Sequence, residues 1–152
     1  MIAEQATKFL IITSPQAIKD DGAWVTTIID TKSWQYLTIV VTIGFTDIAV
    51  AVLKVQEATS SGGSYADVDG LVFGTSNGIS GSASTLPSSD DDDSLFVFEM
   101  SLQARKRFID LQATAGNGCT GSFMSAIAIL SRGKQAPITA AQRGASQILR
   151  VE

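Results

Sequence analysis

Histidine is absent from this chain of 152 residues, and cysteine occurs once, at Cys119. Without histidine, Ser-His-Asp and Cys-His catalysis, histidine zinc sites and imidazole pH switches are all excluded. One cysteine permits no disulfide within the chain and has no histidine to act as the base of a nucleophilic thiol. In its Gly-Asn-Gly-Cys-Thr-Gly context it reads as a small loop residue. Charged residues make up only 17% of the chain. The longest apolar run, Ile48 to Leu53, is far too short to cross a bilayer, so no membrane partner is expected. The N-terminus has no basic region followed by an apolar core. A chain without a signal peptide, working where it is made, is therefore the expectation. Neither an internal repeat nor a convincing amphipathic helix is legible.

Apolar residues are abundant instead, at 45%. A chain of this length folds as one domain, and so apolar a composition fills a core with surface to spare, which usually ends in an interface. The stretch Trp34 to Ala58 holds two β-branched runs around a break at Gly44-Phe45-Thr46-Asp47. It predicts two strands joined by a tight connection, each apolar enough for the middle of a sheet. Before it, Lys8–Ile12 and Trp24–Asp30 predict strands, the second with both faces covered. After it, Thr59–Ser64 predicts a hairpin-like loop. Tyr65–Gly70 alternates weakly, Leu71–Phe73 reads as a short strand, and Gly74–Asp93 is a long irregular segment. Ser94–Met100, Arg107–Thr114 and Ser122–Leu130 predict three further strands, the middle one half-buried by its alternation. Seven or eight short strands with frequent turns point to an all-β fold, a β-sandwich or jelly roll, over residues 1–131.

The C-terminal segment 132–152 differs. It carries four basic residues, Arg132, Lys134, Arg143 and Arg150, against the single acid Glu152, whereas the rest holds seven basic and fourteen acidic residues. A basic tail on an acidic body predicts an arm laid on a neighbouring subunit. Those four cations would make its charged contacts, and Ile148 and Leu149 its apolar anchor. Residues 1–7 read as a shorter N-terminal arm. Thr139–Ala145 could hold a helical turn, weakened by Gly144.

Little else carries chemistry. Asp90 to Asp93 are consecutive, so their side chains diverge, and they match no EF-hand spacing; they read as a solvated acidic loop. Asp67, Asp69, Glu57, Glu99 and Asp110 could in principle supply a pair for glycoside hydrolysis, without any motif. Arg105-Lys106-Arg107 is too compact for a nucleic-acid stripe and reads as an ion-pair or subunit-contact cluster. Trp24, Trp34 or Tyr65 could form a carbohydrate-binding platform. No cofactor or metal is expected.

The segments Asp47-Ile-Ala-Val-Ala-Val-Leu-Lys-Val-Gln-Glu-Ala and Ser60-Ser-Gly-Gly-Ser-Tyr-Ala-Asp-Val-Asp-Gly resemble a known group. With them go Arg107-Phe-Ile-Asp-Leu-Gln-Ala-Thr-Ala-Gly and Phe123-Met-Ser-Ala-Ile-Ala-Ile-Leu-Ser-Arg. Over roughly Trp24 to Pro137 the chain resembles the capsid decoration, or cement, proteins of tailed bacteriophages. The resemblance implies a non-enzymatic jelly-roll-like virion protein on the outer surface of an icosahedral head. It further implies a homodimer or homotrimer that bridges major capsid subunits; the acidic composition and compact basic cluster, for their part, predict no nucleic-acid partner. A carbohydrate- or receptor-binding sandwich of a phage tail or fibre is the alternative, and a carboxylate-dependent hydrolase comes third.

Overall fold

The computed structural model describes residues 6–134 and 139–149. The fold is all-β. Eight strands form two four-stranded antiparallel sheets, in the order β1-β8-β3-β6 and β2-β7-β4-β5. The strands are β1 (Thr7–Thr13), β2 (Ile29–Asp30), β3 (Tyr36–Thr46), β4 (Val52–Ala58), β5 (Ala66–Val72), β6 (Leu95–Ser101), β7 (Phe108–Thr114) and β8 (Ser122–Ser131). The pairs β1·β8, β2·β7, β3·β6 and β4·β5 are nested, as in one long hairpin. The pairings β3·β8 and β4·β7 then close each sheet.

Alternation along each strand builds the core. Leu37, Ile39, Val41 and Ile43 of β3 point inward beside Met124, Ala126, Ala128 and Leu130 of β8. Across from them lie Leu53 and Val55 of β4 and Ile109, Leu111 and Ala113 of β7. Each fully buried Leu or Ile contributes about 1.5–3 kcal/mol, which explains why the β-branched runs hold both sheet centres.

The stretch 34–58 does supply central strands, but one to each sheet. β3 lies between β8 and β6, and β4 lies between β7 and β5. The connection at 47–51 crosses from one sheet to the other, with Val50 buried and its N–H donating to the Pro87 carbonyl at 2.9 Å.

The strand expected over Trp24–Asp30 shrinks to Ile29–Asp30. Its first part bonds to both sheets in turn: Trp24 N donates to Ala113 O of β7 at 3.1 Å, and Thr27 N to Ile12 O of β1 at 2.9 Å. A segment that bridges two sheets cannot keep a ladder with either. Its faces are not both covered, because Trp24 is buried while Val25 and Ile28 are exposed. Weakly alternating Tyr65–Gly70 and the run after it merge into one strand, β5, while Gly74–Asp93 is irregular as expected apart from a 3-10 turn at Ser89–Asp91.

The expected arms take a different course where they are described. Thr7 already belongs to β1 and is buried, and residues 1–5 lie outside the described residues. The described parts of the C-terminal segment pack on their own body. Gly133 N donates to Ala6 O at 3.4 Å and Lys134 N to Ser33 O at 2.9 Å. A 3-10 turn at Ala141–Arg143 then packs on β1. Gly144 ends it with φ of 78°, and a side chain there would overlap the Phe9 carbonyl. The glycine expected to weaken this turn is what lets it stop against the strand.

Candidate interaction surfaces

Of the six residues expected to contact a neighbour, the five that are described differ in their surroundings. Arg143 is only 6% exposed. Its Nε donates to the Thr7 carbonyl at 3.0 Å, and its guanidinium stacks 5.6 Å from the Phe9 ring centre. It is therefore taken up within its own chain, where it covers carbonyls on the edge of β1 away from β8 and blocks pairing by another strand. Arg132 is exposed, 5.3 Å from the centre of the Tyr36 ring. Lys134 is exposed as well. Ile148 is half-buried, whereas Leu149 is 96% exposed. Arg150 lies outside the described residues.

Other sequence candidates have partners in the chain. Arg107 makes two hydrogen bonds to Asp30, at 2.8 and 2.6 Å. That contact holds the Asp30 carboxyl at about 2 and pushes the guanidinium pKa up. Arg105 lies 3.7 Å from Glu57, and Lys106 N donates to the same carboxylate. The basic cluster is thus an intramolecular ion-pair cluster. Asp67 is bound by Lys54 and Gln56, and the Lys54 contact above all holds its carboxyl below the usual range. Asp110 accepts from Thr26 at 2.9 Å. Trp24 is buried, and Trp34 and Tyr65 are half-buried. An open groove of about 670 Å³ runs between the β5 and β6 edges, and its lining, which includes Phe73, Ile79 and Val97, has Glu99 as its one titratable side chain. Among the described residues no group of three or more metal-ligating side chains occurs, and no helix is long and apolar enough to cross a membrane.

Sequence reasoning missed the end of the sandwich around Asp47. Three carboxylates tie its four loops, 14–24, 44–51, 87–94 and 115–121. Asp47 Oδ2 accepts from the N–H groups of Cys119 and Thr120 at 2.7 and 2.6 Å. Donation by Thr120, then by its neighbours, holds the Asp47 carboxyl below the usual range. Asp20 accepts from Gly118 N at 2.8 Å, and Asp92 from Thr46 N at 2.8 Å. Gly118 has to be glycine, because a side chain there would overlap the Asp47 carboxylate. Beneath these contacts Thr46 and Ser122 share a buried hydroxyl hydrogen bond, and Lys19 and Ser122 exchange two backbone bonds. Two members of the aspartate run turn out structural: Asp92, and Asp91, which closes the turn by accepting from Ser88 N. On this braced end Ile18, Phe45, Ile48 and Phe123 remain partly exposed.

A second surface lies on the outside of the β1-β8-β3-β6 sheet. Ile11 stands opposite Ile127, Ile127 opposite Val40, and Val40 opposite Val97. One apolar row therefore crosses all four strands. Ile129 on one side and Leu95 on the other extend it. Outward positions of a solvated sheet are ordinarily polar; here Ile127, in an interior strand, is 41% exposed. The signal was in the sequence, as the apolar residues on both faces of Ser122–Leu130.

The chain matches none of the protein-family models and none of the curated proteins it was compared with.

Proposed function

We propose that the chain is a non-enzymatic structural virion protein, a cement or decoration protein that binds the outside of an icosahedral phage head and bridges major capsid subunits. The observation that carries this reading is the braced loop end with Ile18, Phe45, Ile48 and Phe123 at its surface. Loops held by carboxylate-to-amide bonds lose little freedom on docking, so apolar side chains on them convert efficiently into contact energy. A clamp repeated over a symmetric shell needs only modest individual contacts, because avidity multiplies them. The nested strand pairing supports a jelly-roll reading of the sandwich, in keeping with the sequence resemblance. Leu149, exposed at the end of the described C-terminal segment, is a further contact candidate.

Shells of the major capsid protein provide the test. Ile48→Glu should lower occupancy on them at least tenfold while the thermal transition of the isolated protein stays in place. Replacing Ile148 and Leu149 by alanine should lower it less. Undiminished occupancy of Ile48→Glu would remove the loop end from the contact.

A further inference from the structure

We infer that the open edge of β6 takes up an extended peptide segment as a further strand of the β1-β8-β3-β6 sheet, a segment of alternating apolar residues with a lysine opposite Glu99. The edges of the two sheets are finished differently. On β1, Arg143 Nε donates to Thr7 O and Thr27 N to Ile12 O. β2 is only two residues long. On β5, Ser76 Oγ accepts from Val72 N at 3.1 Å, Ser76 N donates to Val72 O at 2.9 Å, and the register breaks between Lys54 and Gln56. β6 runs for seven residues without such cover. Its ladder to β3 is bounded by Ile43 N donating to Ser94 O at one end and Leu102 N donating to Gln35 O at the other. Antiparallel pairs alternate between bonded and non-bonded positions, so the backbone groups of Phe96, Phe98 and Met100 face β3. Those of Leu95, Val97, Glu99 and Ser101 face outward, and among the described residues none of these four makes a backbone bond to a loop or turn. An uncovered edge of this length is a template for another strand.

The groove beside this edge defines what the added strand carries. It holds about 670 Å³ between β6 and the run Gly70 to Phe73. The Phe73 ring stands edge-on to Phe96 and Phe98, with centres 5.2 and 4.9 Å apart, and the fully exposed Ile79 forms part of the lining. A strand paired with β6 turns alternate side chains to opposite faces. Those opposite Phe96, Phe98 and Met100 would point inward to this apolar lining, and those opposite Val97 and Glu99 outward. Glu99 is the one titratable side chain of the groove, and among the described residues it belongs to none of the ion pairs. A lysine opposite it would complete a cross-strand pair. Main-chain bonds then give affinity and the alternating side chains give selectivity, as in strand addition generally. A small apolar molecule could fill the groove but would leave the row of edge donors and acceptors unmatched.

The probe is the capped peptide Val-Lys-Val-Thr-Val, laid antiparallel to β6 with its lysine opposite Glu99 and its threonine opposite Val97. Titrated into the full chain and followed by amide chemical shifts, it should bind with a Kd below about 1 mM. At saturation it should slow hydrogen exchange of the Val97 and Glu99 amides about tenfold or more, whereas the Phe98 amide, already facing β3, should be slow throughout. Methylating the peptide nitrogens of its lysine and threonine, which point at β6, should weaken binding about tenfold or more. Methylating the nitrogen of its central valine, which points away, should leave binding in place. Glu99→Lys should weaken binding of this peptide about threefold and favour the peptide with glutamate in place of lysine. Edge amides that exchange slowly in the free chain, or no binding at several times the expected Kd, would overturn the inference. Binding indifferent to the position of the methyl groups would overturn it as well and leave the groove a site for small apolar molecules. The inference does not rest on the cement reading: peptide binding at this edge and occupancy on shells are separate readouts, and either can fail alone.

Discussion

The two sheets of this sandwich share their inward chemistry and differ on the outside. On the outside of the β2-β7-β4-β5 sheet, Lys54 pairs with Asp67 at 2.8 Å, Gln56 donates to Asp67, Thr26 donates to Asp110, and Arg107 clasps Asp30. That face answers to water and to its own cross-strand neighbours. The outside of the β1-β8-β3-β6 sheet carries an apolar row instead. The core does not demand that row, because the buried residues alternate with it. The contrast separates residues that make the core from apolar residues that the fold leaves at its surface.

The sharpest way to break this comparison is to truncate both sides of it. Leu111→Ala, inside, should cost about 2–5 kcal/mol in denaturant titrations. Ile127→Ala, outside, should cost less than about 1 kcal/mol. Equal costs would mean that the outer face is already covered within one chain. Next in size is Gly144→Ala. A non-glycine residue in the left-handed region loses roughly 1–2 kcal/mol, and here its side chain would also overlap the Phe9 carbonyl. The C-terminal segment should lift from β1, exposing it to limited proteolysis while the sheets persist; unchanged protection would show that it is held from elsewhere.

The Asp47 end gives a local test. Asp47→Ala should speed hydrogen exchange at the Cys119 and Thr120 amides and leave the β3·β8 ladder amides unchanged. In the wild type, a carboxylate held below its ordinary range stabilises the fold fully above that range. The contribution fades as pH falls through the folded value. Acid titration should therefore loosen the loop end at pH values below the ordinary aspartate range. The smallest effect belongs to the polar face. Asp30→Asn breaks an exposed pair and should cost about 0.5 kcal/mol at neutral pH. The difference from wild type should vanish as pH falls from 3.8 towards about 2.

Much of the fold was legible in particular residues. Phe108, Asp110 and Gln112 alternate with Ile109, Leu111 and Ala113, and that period of two predicts one buried and one open face, which β7 has. β-Branched density placed the central strands. Their assignment to opposite sheets was not legible, since periodicity describes a strand's faces and not its neighbours. The bridging segment at Trp24–Ile28 has the composition of a strand and is diverted by bonds to two sheets, which depend on residues far away in sequence. The same distance hid the loop end: Asp47, Gly118 and Cys119 meet only after folding. The basic tail was legible as charge, but Arg143 serves its own β1 through geometry that a charge count does not contain.

Co-sedimentation of the purified protein with shells of the major capsid protein tests the central claim most directly. The account predicts saturable binding at a fixed ratio to the capsid subunit, with the shells protected against heat. Protein that stays in the supernatant at all concentrations, beside shells whose heat stability is unchanged, would contradict it.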